Sequence, residues 1–284
     1  MKVPVSIIIP IKNEAKNLPR ALASVSWANE VWVVDSESTD GSQAIAEAAG
    51  AQVVQFAFNG TWPKKKNWAL ENLPFNNDWI FILDADEVLP AEAEMEFCEI
   101  VCDPGHKVDG YWINRRFMFM GGWMKHAYYP NWNLRLFRHR LGRYEQLTEV
   151  ATESGDNEVH EHVIVKGETK QLKAEMDHYP FPDVSTFVEK HNRYSNWEAH
   201  VALESAVSQA GSDSLQHKAV GARRRLKHFA QRLPFRPFMR FCFVYFFQRG
   251  FLDGRRGWYF ARLHAVYEFL CVAKAYELRK RGEN

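Results

Sequence analysis

The sequence predicts an α/β fold built on a mixed, mostly parallel sheet flanked by helices. Three observations carry this. Apolar runs alternate with helical patterns through the first 107 residues, the order of βαβ units. The runs are continuous rather than alternating, as strands covered on both faces require. Asp35, Asp84 and Asp86 each follow such a run, where open sheets of this kind bind ligands, beyond the carboxyl ends of the strands.

In VSIIIPIKNE, Val5 to Ile9 form the first strand, stopped by Pro10 and followed by the polar Lys12 to Glu14. A helix with Leu18, Leu22 and Val25 on one face comes next. EVWVVDSESTDGS repeats the plan. Strand Val31 to Val34 ends in Asp35, Thr39 or Asp40 caps the next helix, Ala44, Ile45 and Ala48 form its inner side, and Gly50 ends it. AQVVQFAF is a third strand, Trp68 to Leu73 a helix, and Trp79 to Leu83 a fourth strand running into Asp84, Asp86 and Glu87. Beyond residue 107 the alternation fades. GYWINRRFMFMGGW, WNLRLFRH and EVHEHVIVKG are strands of a less regular half. Residues 183–210 are helical, with Phe187, His191, Tyr194 and Trp197 on a stripe read as core packing rather than a sugar platform. QAGSDS is a linker, and helices are expected over Leu215–Arg232, Phe238–Phe247 and Gly257–Arg279.

With 284 residues, 46% of them hydrophobic, the chain can form one large domain or a domain with an appendage. Its net charge of +1 conceals an asymmetry. Residues 221–284 hold 15 Lys/Arg against 4 Asp/Glu, a net +11, so residues 1–220 carry −10. A basic, aromatic tail on an acidic body is expected to meet an anionic surface. No run reaches the roughly 18 apolar residues of a membrane span. The first residues carry no secretory cleavage pattern and the four cysteines no disulfide pattern, so the cytoplasm is the expected compartment. Cys98, Cys102 and His106 lack the spacing and fourth ligand of a structural zinc site and read as ordinary buried helix residues.

Asp84-x-Asp86 after a buried strand can share a hard divalent cation, and Mg2+ commonly takes one or two carboxylates plus substrate phosphates. Asp35 can accept hydrogen bonds from a ribose or a base N–H. Neither a G-x-G-x-x-G nor a P-loop motif is present, which argues against dinucleotide and P-loop sites. Strand-end acids and a metal must then do the work of nucleotide binding. Lys66 and Arg135 can add positive charge against a diphosphate, although Arg135 reads equally as a surface strand residue. In VHEHV, strand alternation puts Glu161 opposite His160 and His162.

VSIIIPIKNE, VVDSESTDGS and WIFILDADE, in that order and spacing, resemble a family 2 glycosyltransferase with the GT-A fold, a Rossmann-like sheet. WNLRLFRH, VHEHVIVKG, MDHYPF and FLDGRRGWYFARLHAVYEFL extend the likeness to the subgroup that includes bacterial lipopolysaccharide core glucosyltransferases. The resemblance implies a catalytic domain over 1–212, with a nucleotide-sugar half 1–107 and an acceptor half 108–212, and a helical tail over 213–284. It places Pro10 and Glu14 in the first nucleotide loop and Asp35 at the uracil or ribose. Lys66 and Asn67 match a Lys-Asn pair of the subgroup. Lys64 and Lys65 depart from the glycine-rich, Gln-containing stretch common before it. Asp84 matches the acid facing the ribose, Asp86 the direct ligand of Mg2+ or Mn2+, and His178 a late histidine that can add a ligand. Glu161 matches the catalytic base of an inverting transfer, with His160 as its orienting neighbour. The implied donor is a UDP-sugar, UDP-glucose first, and the implied acceptor a membrane-bound glycolipid. The absence of a Q-x-x-R-W motif points to a non-processive enzyme.

Arginines and aromatics over residues 223–247 suit the headgroup boundary of an anionic membrane. No nucleic-acid partner is expected. Two rival readings are a sugar-phosphate nucleotidyltransferase, which should show a glycine-rich loop where PIKNEAKN stands, and an inactive membrane-binding relative.

Overall fold

The computed structural model describes residues 2–146, 162–208 and 235–282. The chain divides into two compact units. One comprises Met1–Trp123 with Tyr129–Pro180, the other Met124–Tyr128 with Phe181–Asn284.

The first unit is the expected α/β body. Its strands are β1 (Val3–Ile11), β2 (Ala28–Asp35), β3 (Gln52–Gln55), β4 (Trp79–Ile82), β5 (Glu87–Val88), β6 (Gly110–Phe119), β7 (Gly122–Trp123), β8 (Trp132–Arg138), β9 (Gly142–Tyr144), β10 (Val163–Val165) and β11 (Thr169–His178). The main sheet runs β3-β2-β1-β4-β8-β6-β11-β5, with β7 on β6, while β9 and β10 pair separately. The first four strands are mutually parallel. β8 is antiparallel to β4 and β6, and β11 returns parallel to β6. Helices α1 (Leu18–Ser24), α2 (Ser42–Ala48), α3 (Lys65–Asn72) and α4 (Glu92–Val101) connect the first half.

Strand alternation in β1 feeds both sides of the sheet. Ile7 and Ile9 join Leu18, Leu22, Phe97 and Ile100 of α1 and α4 on one face. Ile8 joins Ala69 and Leu70 of α3 with Ile80, Ile82 and Phe137 on the other. That double cover is why β4, and β1 apart from the buried Ser6, read as apolar runs.

Several expectations are corrected. In α2 the buried positions are Ser42 and Ala46, with Ile45 half-buried, while Ala44 and Ala48 are exposed. The helix is rotated because its first turn starts at Ser42, whose hydroxyl is fixed by Asp40 at 2.5 Å. The third strand shrinks to Gln52–Gln55, a half-exposed edge. β11 was not anticipated at all. Cys98 and Cys102 are exposed rather than buried. EVHEHVIVKG contributes only the three residues of β10 among the described residues.

The second unit contains α5 (Val184–Ser208), α6 (Arg236–Cys242), a π-helical turn over Phe243–Phe247, a 3-10 turn over Gly250–Asp253, and α7 (Gly254–Gly282). The expected helix over 238–247 is therefore α6 with a wider turn at its end. Phe187 stacks on His191 with centroids 3.7 Å apart and both are buried, so this part of the α5 stripe is core, while Tyr194 and Trp197 are half-buried. Asp253 accepts N–H bonds from Lys125 (2.9 Å), His126 (3.2 Å) and Ala127 (2.9 Å), which binds segment 124–128 into this unit. A Cβ on Gly257 would lie 1.8 Å from the Gly250 carbonyl oxygen, so that approach requires glycine. No helix among the described residues is long and apolar enough to cross a membrane. The expected helix over Leu215–Arg232 and the boundary at 212 lie outside the described residues.

Candidate active site

The site grows from a split in the sheet. The Ile8 carbonyl faces β4 and accepts the Leu83 N–H at 3.0 Å. Two residues on, Pro10 faces the same side and has no N–H to offer. Pairing between β1 and β4 extends only to Ile8 and Ile82, so the chain after β4 turns away. Asp84, Asp86 and Glu87 occupy that turn.

Asp84 sits between two cations. Lys66 Nζ, from the first turn of α3, lies 2.9 Å from one carboxylate oxygen, and Arg135 Nη2, from β8, lies 2.6 Å from the other. Burial alone would raise the Asp84 pKa, but Arg135 and then Lys66 outweigh it and hold the carboxyl well below the usual range. Burial likewise disfavours the Arg135 charge, and Asp84 and Glu87 raise its pKa well above the ordinary value. Arg135 is 5% exposed, so it is an interior residue and not a surface one.

Glu87 is the residue that sequence reasoning missed. It is fully buried and accepts Arg135 Nη2 at 3.0 Å, Arg115 Nη1 at 3.2 Å and the Asp84 N–H at 2.9 Å. The acids of DADE tolerate one another because Lys66, Arg115 and Arg135 are threaded among them. The only signal in the sequence was the third carboxylate of that run.

Asp86 meets different company. Glu87–Val88 pair antiparallel with Asp177–His178 at the end of β11, which carries His178 to Asp86 across 92 residues of sequence. Nε2 of His178 lies 3.6 Å from Asp86 Oδ1, and both side chains are largely enclosed, at 13% and 16% exposure. His178 Nδ1 is buried without a hydrogen-bond partner among the described residues. An oxygen and an imidazole nitrogen at this spacing fit one divalent cation about 2.1 Å from each. No cluster of three His, Cys, Asp or Glu occurs among the described residues, so further ligands would be phosphate and water oxygens, a common arrangement for Mg2+.

Asp35 ends β2 and is fully buried. Its carboxylate accepts Ser38 Oγ at 2.5 Å, the Ser38 N–H at 3.2 Å and Gln55 Nε2 at 3.1 Å, so it also anchors its own turn. Glu14 lies in the loop before α1: its N–H donates to Ser42 Oγ at 2.9 Å and its carboxylate accepts Asn17 Nδ2 at 2.9 Å. Asn67 exchanges two bonds with the Tyr144 backbone, each 2.9 Å, and so ties α3 to β9. Lys65, which stood as a departure from the subgroup, is fully buried and donates to the Ile11 carbonyl at 2.7 Å, tying α3 to the end of β1. Glu161 and His160 lie outside the described residues. On the far side of them, Val163 pairs with Tyr144, the residue bound by Asn67 next to Lys66.

Strand-end acids, a cation-balanced Asp84 and the Asp86–His178 pair stand together at the mouth of the sheet. The family model for glycosyl transferase family 2 matches residues 6–158, more than half of the chain. The chain belongs to that family. This family 2 glycosyltransferase is 27% identical to the lipopolysaccharide core biosynthesis glycosyltransferase LpsC of Rhizobium meliloti, over 97% of this chain and 93% of that one. It is 30% identical to an uncharacterized glycosyltransferase of Rickettsia felis, over 99% and 92%. Among solved structures, the mannosyltransferase PcManGT of Pyrobaculum calidifontis, in complex with GDP-mannose and Mn2+, superposes with a TM-score of 0.51 at 14% identity, covering 97% of this chain and 88% of that one. That likeness shows the GT-A fold of the glycosyltransferase.

Proposed function

We propose that this glycosyltransferase is an inverting, non-processive, metal-dependent hexosyltransferase. In this reading it moves a sugar from a UDP-sugar, UDP-glucose first, to a membrane-bound glycolipid such as lipopolysaccharide core or a lipid-linked oligosaccharide. It works at the cytoplasmic face of a bacterial membrane. The observation that carries the reading is the Asp86–His178 pair beside a charge-balanced Asp84 at the mouth of the sheet. The near full-length likeness to LpsC supports the acceptor class.

Asp86 and His178 would hold Mg2+ or Mn2+, which supplies neutralising charge to a diphosphate leaving group. Asp84, kept ionised by Arg135 and Lys66, accepts hydrogen bonds from the ribose. Asp35 receives the uracil or ribose at the end of β2, with Pro10 and Glu14 shaping the loop beside it. Lys66 and Asn67 fix α3 against this edge. Glu161, oriented by His160, takes the proton of the acceptor hydroxyl. That oxygen attacks C1 from the face opposite the diphosphate, the C1–O bond breaks toward phosphate, and the configuration inverts. A general base of this kind contributes ~10²–10⁴-fold.

Transfer from UDP-sugars into a glycolipid extract, with Mn2+ or with EDTA, tests the reading. Wild type transfers only with metal, and Glu161→Gln keeps nucleotide binding while turnover falls by ~10²–10⁴-fold. Equal turnover in Glu161→Gln removes Glu161 from the mechanism. Transfer undiminished by EDTA removes the metal.

A further inference from the structure

We propose that the corner between α6 and α7, residues 241–262, is a membrane-docking surface that seats its aromatic cluster in the headgroup boundary of an anionic bilayer. Phe241, Tyr245, Phe246, Phe251 and Trp258 form one connected group of rings. Tyr245 meets Phe246 at 5.1 Å, Trp258 at 5.3 Å and Phe251 at 6.3 Å, and Phe241 meets Trp258 at 5.3 Å. Rings packed in this way normally accompany burial. Here Phe246 stays 59% exposed, Phe251 47% and Trp258 41%, with Phe247 beside them at 79%. Contiguous apolar surface of this kind marks an interaction site.

The backbone holds the rings outward. The π-helical turn Phe243–Phe247 buries Val244 alone. Arg249 takes a left-handed conformation, φ 60°, and Gly250 sits so close to the Val244 carbonyl that a Cβ would meet it at 2.8 Å. This close approach sets the turn at the corner, and in it the rings of Phe246, Phe247 and Phe251 stay exposed.

Charge selects the occupant. Arg249, Arg255 and Arg262 are exposed around the cluster, and the Arg262 guanidinium lies 5.6 Å from the Trp258 ring centroid. The one acid within 241–262, Asp253, turns its side chain inward to the backbone of residues 125–127 and is 3% exposed. Aromatic tips ringed by arginine match the amphipathic boundary of an anionic leaflet. A second copy of the same face would bring its arginines against one another across a twofold axis. The surface differs from the segment 223–247 expected from the sequence, since it is centred on the corner and continues into α7.

The inference rests on a membrane-bound acceptor only for its purpose, and docking is measurable without donor or acceptor. Full-length protein is floated with phosphatidylglycerol–phosphatidylethanolamine vesicles and with phosphatidylcholine vesicles. Wild type floats with the anionic vesicles. The double variant F246S/F251S partitions at least about tenfold less, with UDP binding retained. R249Q/R262Q loses the preference for anionic over zwitterionic vesicles. A wild type that stays unbound, a serine variant that floats as well as wild type, or an unchanged lipid preference in the arginine variant overturns the proposal. So does a wild-type dimer that the serine variant dissolves while neither binds vesicles, which assigns the face to a second copy. Vesicle binding without UDP binding sinks the transfer reading and leaves docking standing.

Discussion

The two units put charge in opposite places. In the first, Lys66, Asp84, Glu87, Arg115 and Arg135 form paired, mostly enclosed side chains, at 6%, 27%, 0%, 15% and 6% side-chain exposure. In the second, two buried histidines, His191 and His264, sit among aromatic rings, and the enclosed Asp253 carboxylate is held by backbone N–H groups rather than by a cluster of cations. Burial lowers the His191 pKa to about 4 and that of His264 well below the ordinary value, helped by nearby cations including Arg240. Most of its described arginines, Arg249, Arg255 and Arg262 among them, and many of its phenylalanines are exposed. A buried ion network is rarely a gain in stability, because desolvation offsets the Coulomb attraction. In the proposed function, its place at the mouth of the sheet is a seat for a charged ligand. Histidines stacked among aromatic rings are packing, and the exposed arginines of the corner are the ones proposed to lie against lipid.

The comparison breaks most readily at Glu87. Glu87→Ala leaves two guanidinium groups enclosed without their shared carboxylate, and should cost about 3–5 kcal/mol in denaturant unfolding. A loss under about 1 kcal/mol would mean that the network is wet and the contrast between the units false. Next is Asp253→Ala, which orphans the N–H groups of Lys125, His126 and Ala127 in the second unit. Unpartnered buried donors cost about 1–3 kcal/mol each, less where water reaches them, so a loss on the order of 3 kcal/mol is expected. Hydrogen exchange should localise it to 124–128 and the start of α7.

Acidification separates the units next. Asp84 titrates below its ordinary value when folded, so its stabilisation is present above about pH 4 and is lost only as pH falls below that. His191 and His264 are also depressed, and for histidine the neutral form is the folded one. Their contribution is present above about pH 6.5 and is lost as pH falls below it, through about 4 for His191. Between pH 6.5 and 4.5, exchange should quicken in α5 and α7 before it does in β4 and β8. Simultaneous loss would erase the distinction. The smallest effect is Gln55→Ala, which removes one of the bonds to Asp35 and should cost about 1 kcal/mol, read as a shift in the denaturant midpoint.

The first half of the fold was legible because its strands are covered twice. Val5–Ile9, apart from the buried Ser6 that bonds Glu30, and Trp79–Leu83 are apolar at each position, and the acids after them then mark the sheet edge. β11 was not legible. In TKQLKAEMDH only Leu172, Ala174 and Met176 are buried, and charged residues fill the positions between them. Yet β11 delivers His178, and the register that sets it beside Asp86 is a property of the folded sheet. MDHYPF pointed to the histidine only through resemblance. Glu87 and Lys65 were missed because a buried charge looks like a surface charge until its partners are in place. Arg135 stood undecided for the same reason. The face of α2 was misread because alanines at 44, 46 and 48 leave the 3.6-residue period ambiguous.

The central claim is that the strand-end acids hold a metal-bound nucleotide. Calorimetry of UDP binding, with Mn2+, with EDTA and on Asp86→Ala, tests it most directly. The account predicts UDP binding that needs Mn2+ and is lost in Asp86→Ala while the variant keeps the thermal stability of wild type. UDP binding of equal strength in EDTA and in Asp86→Ala, or none under any condition, would contradict it.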